Sequence, residues 1–408
     1  MGYEEVYVAR QPIFNRKQNV VAYELLFRSG FTNAYEALDG DQATTDVINN
    51  SFLLLGMETL TGGKRAFVNF TANSIINNIP SLLPPEMIVV EILEDVFPDA
   101  NIIDACKKLK SKGYLLVLDD FVFQPVYEPL IELADIIKVD FLSTSRKERL
   151  ELIQRLQKYP VKFLAEKVET HEEFQLALQD GFSYFQGFFF SKPLVMSCKS
   201  LPEYKVNHLH ILQEINRPEL EFNKIEDIIK RDVSLSYKLL KFINSPMFGF
   251  RNRISSLRQA LTLLGQIELT KWISLIALKN VATDKPGELI LGSLIRARFA
   301  ETLASVTMPH QKAANAFLMG LFSHIDALLD RSLQDILEEI SLEEEIKQAL
   351  LEKEHNQFYL LYKLIKSYEA GEWEVHSSYV GELGIQERDV LKAYRDSLRW
   401  AHDLLMVS

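Results

Sequence analysis

Residues 87–94 read MIVVEILE, and residues 114–121 read YLLVLDDF. Each is an almost unbroken apolar run that ends in carboxylates. Continuous rather than alternating hydrophobicity marks a strand buried on both faces, as in a parallel sheet covered by helices. Six more runs flank them: VYVARQPIF (6–14), VAYELLFR (21–28), AFVNF (66–70), IIKVDF (136–141), KFLAEKV (162–168) and YFQGFFFS (184–191). Amphipathic stretches separate them, such as NIIDACKKLKSKG (101–113), where Gly113 reads as a helix stop. Strand, helix, strand repeated in this way implies parallel pairing through crossover helices. Eight such runs predict an α/β fold, a TIM-like (β/α) barrel. Only NRKQNV separates the first two runs, a hairpin connection, so one strand of the barrel is expected to be antiparallel.

The texture changes after about Pro193. IEDIIKRD, LSYKLLKFI, SLRQALTLLG, LTKWISLIALKNV and HQKAANAFLMGLFSHIDALL place apolar residues at helical spacing with no convincing strand. The boundary is placed between residues 194 and 204, giving a barrel over 1–197 and an all-α domain over 198–408, in keeping with a 408-residue chain. A formal charge of -11 argues against direct DNA binding, which needs a basic face. Cys106 and Cys198 are the only cysteines, too few for a disulfide framework or a cysteine-rich zinc site. The start MGYEEVYVARQPIF has no basic segment followed by an apolar one, and no run of about 18 apolar residues occurs. The expectation is a cytoplasmic protein with no membrane partner.

Polar residues recur at the ends of the strand-like runs. They are Glu24 in AYELLF, Asn69 in FVNF, Glu91 and Glu94 in VVEILE, Asp119 and Asp120 in VLDDF, Lys138 and Asp140 in IIKVD, Glu166 and Glu169 in LAEKVE, and Gln186 in YFQGF. Any one of these carboxylates is explained by a salt bridge or helix cap at a strand–loop junction. The set is not, because burying many carboxylates is costly unless a positive charge neutralises them. At the C-terminal face of a barrel such strand ends converge on one mouth. Carboxylate and amide oxygens suit hard divalent cations, and two such ions can clamp a phosphodiester and activate a water.

The ordered motifs resemble the EAL-domain cyclic-di-GMP phosphodiesterases. Glu24-Leu25-Leu26 with Arg28 resembles the signature tripeptide in its E-L-L form. Asn69 falls at the family's strand asparagine, Glu91-Ile92-Leu93-Glu94 at its E-x-x-E, Asp119-Asp120-Phe121 at its D-D-F and Lys138-Val139-Asp140 at its K-x-D. Ala165–Thr170 resembles A-E-G-V-E-T, and Gln186-Gly187-Phe188 with Lys192-Pro193 resembles Q-G-Y…K-P. The resemblance implies that Glu24, Asn69, Glu91, Asp119 and Asp120 ligate two Mg2+ or Mn2+ ions. Lys138 and Glu166 would orient or deprotonate the attacking water, Arg28 and Gln186 would serve the substrate, and Glu94 would anchor the loop after Asp120. The implied reaction is hydrolysis of one phosphodiester of cyclic-di-GMP to linear pGpG.

Two departures bear on activity. The family loop after D-D-F is rich in Gly and Ser and couples to dimerisation, which makes a homodimer an expected assembly; here it reads VFQPVYE (122–128), without glycine. Lys167 stands at a family glycine. Turnover and binding without turnover therefore both stand as readings, with a nucleotide-free scaffold as the third.

The helical half resembles the HDOD domain, a relative of HD-type phosphohydrolases. The resemblance rests on Asp232, Leu239-Leu240, Asn244-Ser245-Pro246, Ile254-Ser255-Ser256, Gln259-Ala260, Leu264-Gly265 and Gly320-Leu321-Phe322-Ser323. Where the hydrolases carry His-Asp, this chain has Ser323-His324. The expectation is a non-catalytic regulatory or output domain that binds an unknown protein partner. Trp272 and Phe317 read as core, Ser255 or Ser256 as a helix cap, and the acidic run 337–354 as a solvated helix face.

Overall fold

The computed structural model describes residues 6–29, 57–191, 239–240, 242–244, 254, 256–281, 285–340 and 342–407. The domain boundary, Lys192-Pro193, Asp232, Ser245-Pro246 and Ser255 lie outside the described residues, as does the side chain of Arg28.

Eight strands close into a barrel in chain order: β1 (Val6–Asn15), β2 (Val20–Ser29), β3 (Arg65–Phe70), β4 (Ile88–Ile92), β5 (Leu116–Leu118), β6 (Ile136–Asp140), β7 (Lys162–Glu166) and β8 (Tyr184–Gln186). β1 runs antiparallel to both its neighbours, β2 and β8, while the remaining ladders are parallel. The hairpin read from NRKQNV is therefore present. Asn15 closes it, its side-chain oxygen accepting from the backbone N–H of Lys17 at 2.9 Å and of Asn19 at 3.1 Å.

Between the strands run α1 (Met57–Thr61), α2 (Ala72–Ile76), α3 (Ala100–Ser111), α4 (Glu128–Ile131), α5 (Arg146–Leu156) and α6 (His171–Asp180). Their ends follow local chemistry. Asp99 caps α3 by accepting from the Ile102 N–H. Ser145 with Glu148 and Thr170 with Glu173 form reciprocal capping boxes on α5 and α6.

Side chains alternate across each strand. One set, Ile13, Ala22, Phe67, Val89, Val117, Ile136 and Leu164, fills the barrel as a single apolar layer. The other set, including Ala66, Val68, Ile88, Val90, Leu116, Ile137, Val139, Phe163 and Ala165, is also buried. Both faces are dry, which explains the continuous apolar runs.

Two strands are shorter than their runs suggest. β5 ends at Leu118 because Asp120 turns into the left-handed region at φ 39°. β8 ends at Gln186 because Gly187 adopts φ 137°, where a Cβ would lie 2.2 Å from the Val168 carbonyl oxygen.

The helices that follow are α7 (Leu257–Val281), α8 (Gly287–Thr307), α9 (His310–Phe322), α10 (Ile325–Leu329), α11 (Leu333–Glu339), α12 (Glu344–Leu350), α13 (Gln357–Ala370), α14 (Trp373–Leu383) and α15 (Glu387–Val407). Among the described residues after Ser191 no strand occurs. The chain forms two compact units. The first joins Met1–Lys192 to Pro286–Ile295 and Lys363–Ser408; the second takes Pro193–Lys285 and Arg296–Tyr362. The first unit is thus larger than the barrel, with late helical segments packed on it. The second has a core of Leu239, Ile243, Ile254, Ala260, Leu261, Leu264, Leu269, Trp272 and Ile273. Gly265, at φ 68° and ψ 176°, breaks α7 into two helical stretches. Trp272 and Phe317 are buried as expected, and the acidic run presents Glu338, Glu339 and Glu343–Glu345 to solvent above buried Ile336, Leu337 and Ile346. No described helix is long and apolar enough to cross a membrane.

Candidate active site

Strand alternation sets the site directly above the apolar layer. Two residues on from Ala22, Phe67, Val89, Val117, Ile136, Leu164 and Tyr184 stand Glu24, Asn69, Glu91, Asp119, Lys138, Glu166 and Gln186. The ladders step as they go round: Asn69 stands opposite Glu91, while Glu24, Glu91 and Lys138 stand opposite Phe67, Val117 and Leu164 of the next strand, the stagger that closes a barrel.

Lys138 is the hub. Its ammonium lies 2.5 Å from Glu166, 3.0 Å from Asp119 and 3.4 Å from Glu24, and also pairs with Glu91. Gln186 Nε2 donates to Glu24 at 2.6 Å, and Asn69 Nδ2 approaches the other Glu24 oxygen at 3.4 Å. Glu24, Glu91, Lys138, Glu166 and Gln186 are all buried.

The charge balance is uneven. Glu24, Glu91, Asp119 and Glu166 converge on one buried lysine, and Asp120 stands beside Asp119 and Glu166. Burial pushes the Glu91 carboxyl well above its usual range despite Lys138, and the neighbouring carboxylates add to the shift. Burial likewise raises Glu166 to about 8, against the pull of Lys138. Asp120 is raised by burial and then by Asp119. Burial alone would lower Lys138, but the surrounding carboxylates outweigh it and hold the ammonium firmly protonated.

Four buried side-chain oxygens at this mouth have no hydrogen-bond partner among the described residues: Asn69 Oδ1, Glu91 Oε2, Asp120 Oδ1 and Gln186 Oε1. Orphaned buried acceptors are rare and costly. All four are oxygens, the ligand type that hard divalent cations take. Glu24, Glu91 and Glu166 each offer an oxygen within 4.8 Å of the others, and so do Asp119, Asp120 and Glu166. The residues therefore fit a divalent metal centre, with Glu166 common to both triads.

Arg28 is placed by its backbone alone, paired with Tyr7 in the hairpin. Glu94 is exposed; the contact from this residue to the following loop is its carbonyl, which accepts from the Tyr127 hydroxyl at 3.5 Å. A cavity of about 480 Å³ opens beside the carboxylates, lined by Glu94, Asp119, Asp120, Phe121, Tyr127 and Asp140 among others. Lys167, at φ 53°, reaches Asp140 at 2.5 Å. The backbone N–H groups of Leu142 and Ser143 also donate to Asp140. These bonds overcome its burial and hold the Asp140 carboxyl below its usual range.

Gln11 was not singled out by sequence. It accepts from Gln186 Nε2 at 2.9 Å and stands opposite Glu24. Because β1 runs backwards, its polar-layer residue precedes the apolar one, Ile13, instead of following it. The hairpin register was the available signal.

Comparison with known proteins supports the same reading. The EAL domain family model matches residues 65–193 and the HDOD domain family model residues 201–374. The uncharacterized protein YuxH of Bacillus subtilis is 42% identical over 408 residues, covering 98% of this chain and 99% of its own. The cyclic di-GMP phosphodiesterase CdgJ of Vibrio cholerae is 39% identical over 401 residues, covering 98% of this chain and 93% of its own. This chain belongs to the EAL–HDOD family. Among solved structures, an EAL domain protein from Listeria monocytogenes is 22% identical, with a TM-score of 0.38 over 46% of this chain and 88% of that one. The EAL match begins at residue 65; Glu24 and Gln11 join the EAL site through the barrel geometry.

In the HDOD half, Asn244 splices two segments. Its amide donates to the carbonyls of Leu240 and Ile254 and accepts from the Ile254 N–H at 2.7 Å. Ser256 accepts from the Gln259 N–H at 3.4 Å, the capping contact expected of it. Ser323 accepts from Arg296 at 3.2 Å and donates to the Gly320 carbonyl. Gly320 is needed there, since a Cβ would lie 2.4 Å from the Arg296 carbonyl oxygen. Both metal-competent triads found among the described residues lie in the barrel mouth.

Proposed function

We propose that this EAL–HDOD protein is a cyclic-di-GMP phosphodiesterase that cuts one phosphodiester bond to give pGpG. The observation that carries the reading is the polar layer: carboxylates from consecutive strands around one buried lysine, with orphaned oxygens facing no donor. The 39% identity to CdgJ along nearly the whole chain supports the substrate. Glu24, Asn69, Glu91, Asp119 and Asp120 would hold two Mg2+ or Mn2+ ions. Bound, these supply charge neutralisation at the phosphodiester and a more acidic water. Glu166, beside Lys138 and next to both carboxylate triads, would accept the water's proton. Lys138 keeps four carboxylates converged and places positive charge beside the developing oxyanion. Gln186 orients Glu24, Arg28 takes a ligand phosphate, and Glu94 supports the loop over the cavity. The barrel over 1–197 carries this chemistry in the cytoplasm, and the 198–408 half is a non-catalytic regulatory domain for a protein partner, in a chain that self-associates as a homodimer.

A second reading, a sensor that binds without turnover, is favoured by Asp120 and Lys167. Both hold left-handed backbone in non-glycine residues, and Lys167 brings a second ammonium to the mouth. Incubating the full chain with cyclic-di-GMP and each metal, and following pGpG by chromatography, separates the two. Turnover that Glu24→Ala abolishes supports the phosphodiesterase; tight binding with no pGpG under either metal refutes it in favour of the sensor.

A further inference from the structure

Glu24 stands at a fork in the sheet. β2 pairs with β3 only through Ala22, Tyr23 and Glu24, and β1 pairs with β8 only from Ile13 onward. Beyond Glu24, residues 6–10 pair with 25–29, and among the described residues neither segment pairs with β3 or β8. Among the described residues, the strand bearing the first motif glutamate is therefore tied into the barrel ladder on one side of that residue and not on the other.

What grips the fork lies on its outer face. Gln11 and Glu24 point into the mouth, so Arg10 and Tyr23, one residue away on each strand, point outward. There the Tyr23 hydroxyl donates to Glu288 at 2.9 Å, and Arg10 Nη2 lies 3.7 Å from the other Glu288 oxygen. The Arg10 guanidinium sits 4.3 Å above the Tyr23 ring, donates to the Leu60 carbonyl at 2.8 Å and interacts electrostatically with Tyr394. Arg10, Tyr23 and Tyr394 are buried. The projecting half of the hairpin is covered from the same side, by Tyr368 donating to the Val8 carbonyl at 3.2 Å and by Gly371 against Leu26. All of these residues belong to the first compact unit, yet Glu288, Tyr368 and Gly371 fall in the stretch matched by the HDOD model. A buried ion pair contributes little net stability and is best attested as a device that fixes register.

We propose that Glu288, acting through Arg10 and Tyr23, is a positioning residue of the phosphodiesterase site: the HDOD stretch supplies the clamp that holds Glu24 and Gln11 in place. This rests on the metal-dependent phosphodiesterase reading and assigns it a determinant outside the EAL match.

The test is Mn2+ affinity of the full chain, read from the free-ion EPR signal and so independent of turnover. Glu288→Ala is expected to weaken Mn2+ binding about 10-fold or more, the range seen when residues that orient metal ligands are removed. Tyr23→Phe, which deletes one hydroxyl, is expected to weaken it a few-fold, and Glu288→Gln, which keeps the acceptor for Tyr23, to recover part of the loss. Lys312→Ala, which removes an exposed ion pair with Glu345, serves as a control with unchanged affinity. A Glu288→Ala protein that melts lower but binds Mn2+ as wild type does would overturn the inference; should that variant not fold, wild-type affinity in Tyr23→Phe overturns it. Failure of the phosphodiesterase reading shows separately, as wild-type protein that binds Mn2+ and yields no pGpG.

Discussion

Replacing Lys138 with Met removes the only ammonium among the described residues that pairs with Glu24, Glu91, Asp119 and Glu166. With an effective dielectric of about 20, the contacts at 2.5, 3.0 and 3.4 Å correspond to about 7, 6 and 5 kcal/mol of attraction. The desolvation of the buried charges offsets most of this, and breaking such a cluster by removing one partner costs ~3–5 kcal/mol net. For a unit of roughly 250 residues, that lowers the melting temperature by about 10 °C in EDTA. Saturating Mn2+ should narrow the gap, because the ion neutralises the carboxylates that Lys138 abandoned, and binding at about 100 times Kd adds ~2.7 kcal/mol. The sign with pH follows from the raised Glu91 and Glu166. Their folded values lie above the unfolded ones and rise further without the lysine. The penalty is then absent below the unfolded carboxyl range and grows as pH climbs through the folded values. The EDTA gap should be wider at pH 8.5 than at pH 6, measured by calorimetry or circular dichroism melts. Equal melting in EDTA, or a gap indifferent to Mn2+, would refute the idea that one lysine and a metal share this charge.

Because burial raises Glu166 to about 8, metal binding must displace a proton from it below that pH. Mn2+ affinity should fall as pH drops from 8.5 to 6.5, by up to about tenfold per unit, and calorimetry in buffers of different ionisation enthalpy should detect the released proton; a flat profile contradicts the assignment. Gly187→Ala forces a Cβ to 2.2 Å from the Val168 carbonyl oxygen at φ 137°. Urea unfolding should show a loss of at least ~3 kcal/mol, and a near-neutral result would mean that the turn after β8 can relax. Asn244→Ala removes the side-chain partner of the Ile254 N–H and carbonyl and should cost ~2–3 kcal/mol in the second unit while leaving Mn2+ affinity unchanged; a change in affinity would argue against that separation.

The barrel was legible because its strands are dry on both faces, so MIVVEILE and YLLVLDDF announce themselves without alternation. The site was legible for the same reason: in a strand whose every neighbour is apolar, Glu91 or Lys138 stands out. Gln11 did not, since RQPIF reads as a polar strand start until the antiparallel direction of β1 is known. Strand ends were misjudged at Asp120 and Gly187, where the backbone φ values, invisible in hydropathy, end the ladder. Least legible was the partner of the late helices. An amphipathic stretch declares that it has an apolar face, not what that face covers, and nothing in the sequence around Tyr368 or Tyr394 points to β1 and β2.

The contact between Val8 and Tyr368 spans 360 residues, and that between Tyr23 and Glu288 spans 265. Chains are made from the N-terminus, and early domains ordinarily fold as they emerge. Here the eighth strand is complete at Gln186, but the outer wall of the first hairpin does not exist until α15 has been synthesised. Such long loops slow the closing steps of folding. The nascent barrel must wait with Arg10 and Tyr23 uncovered, so a ribosome stalled midway would hold a barrel whose first hairpin still lacks its outer cover.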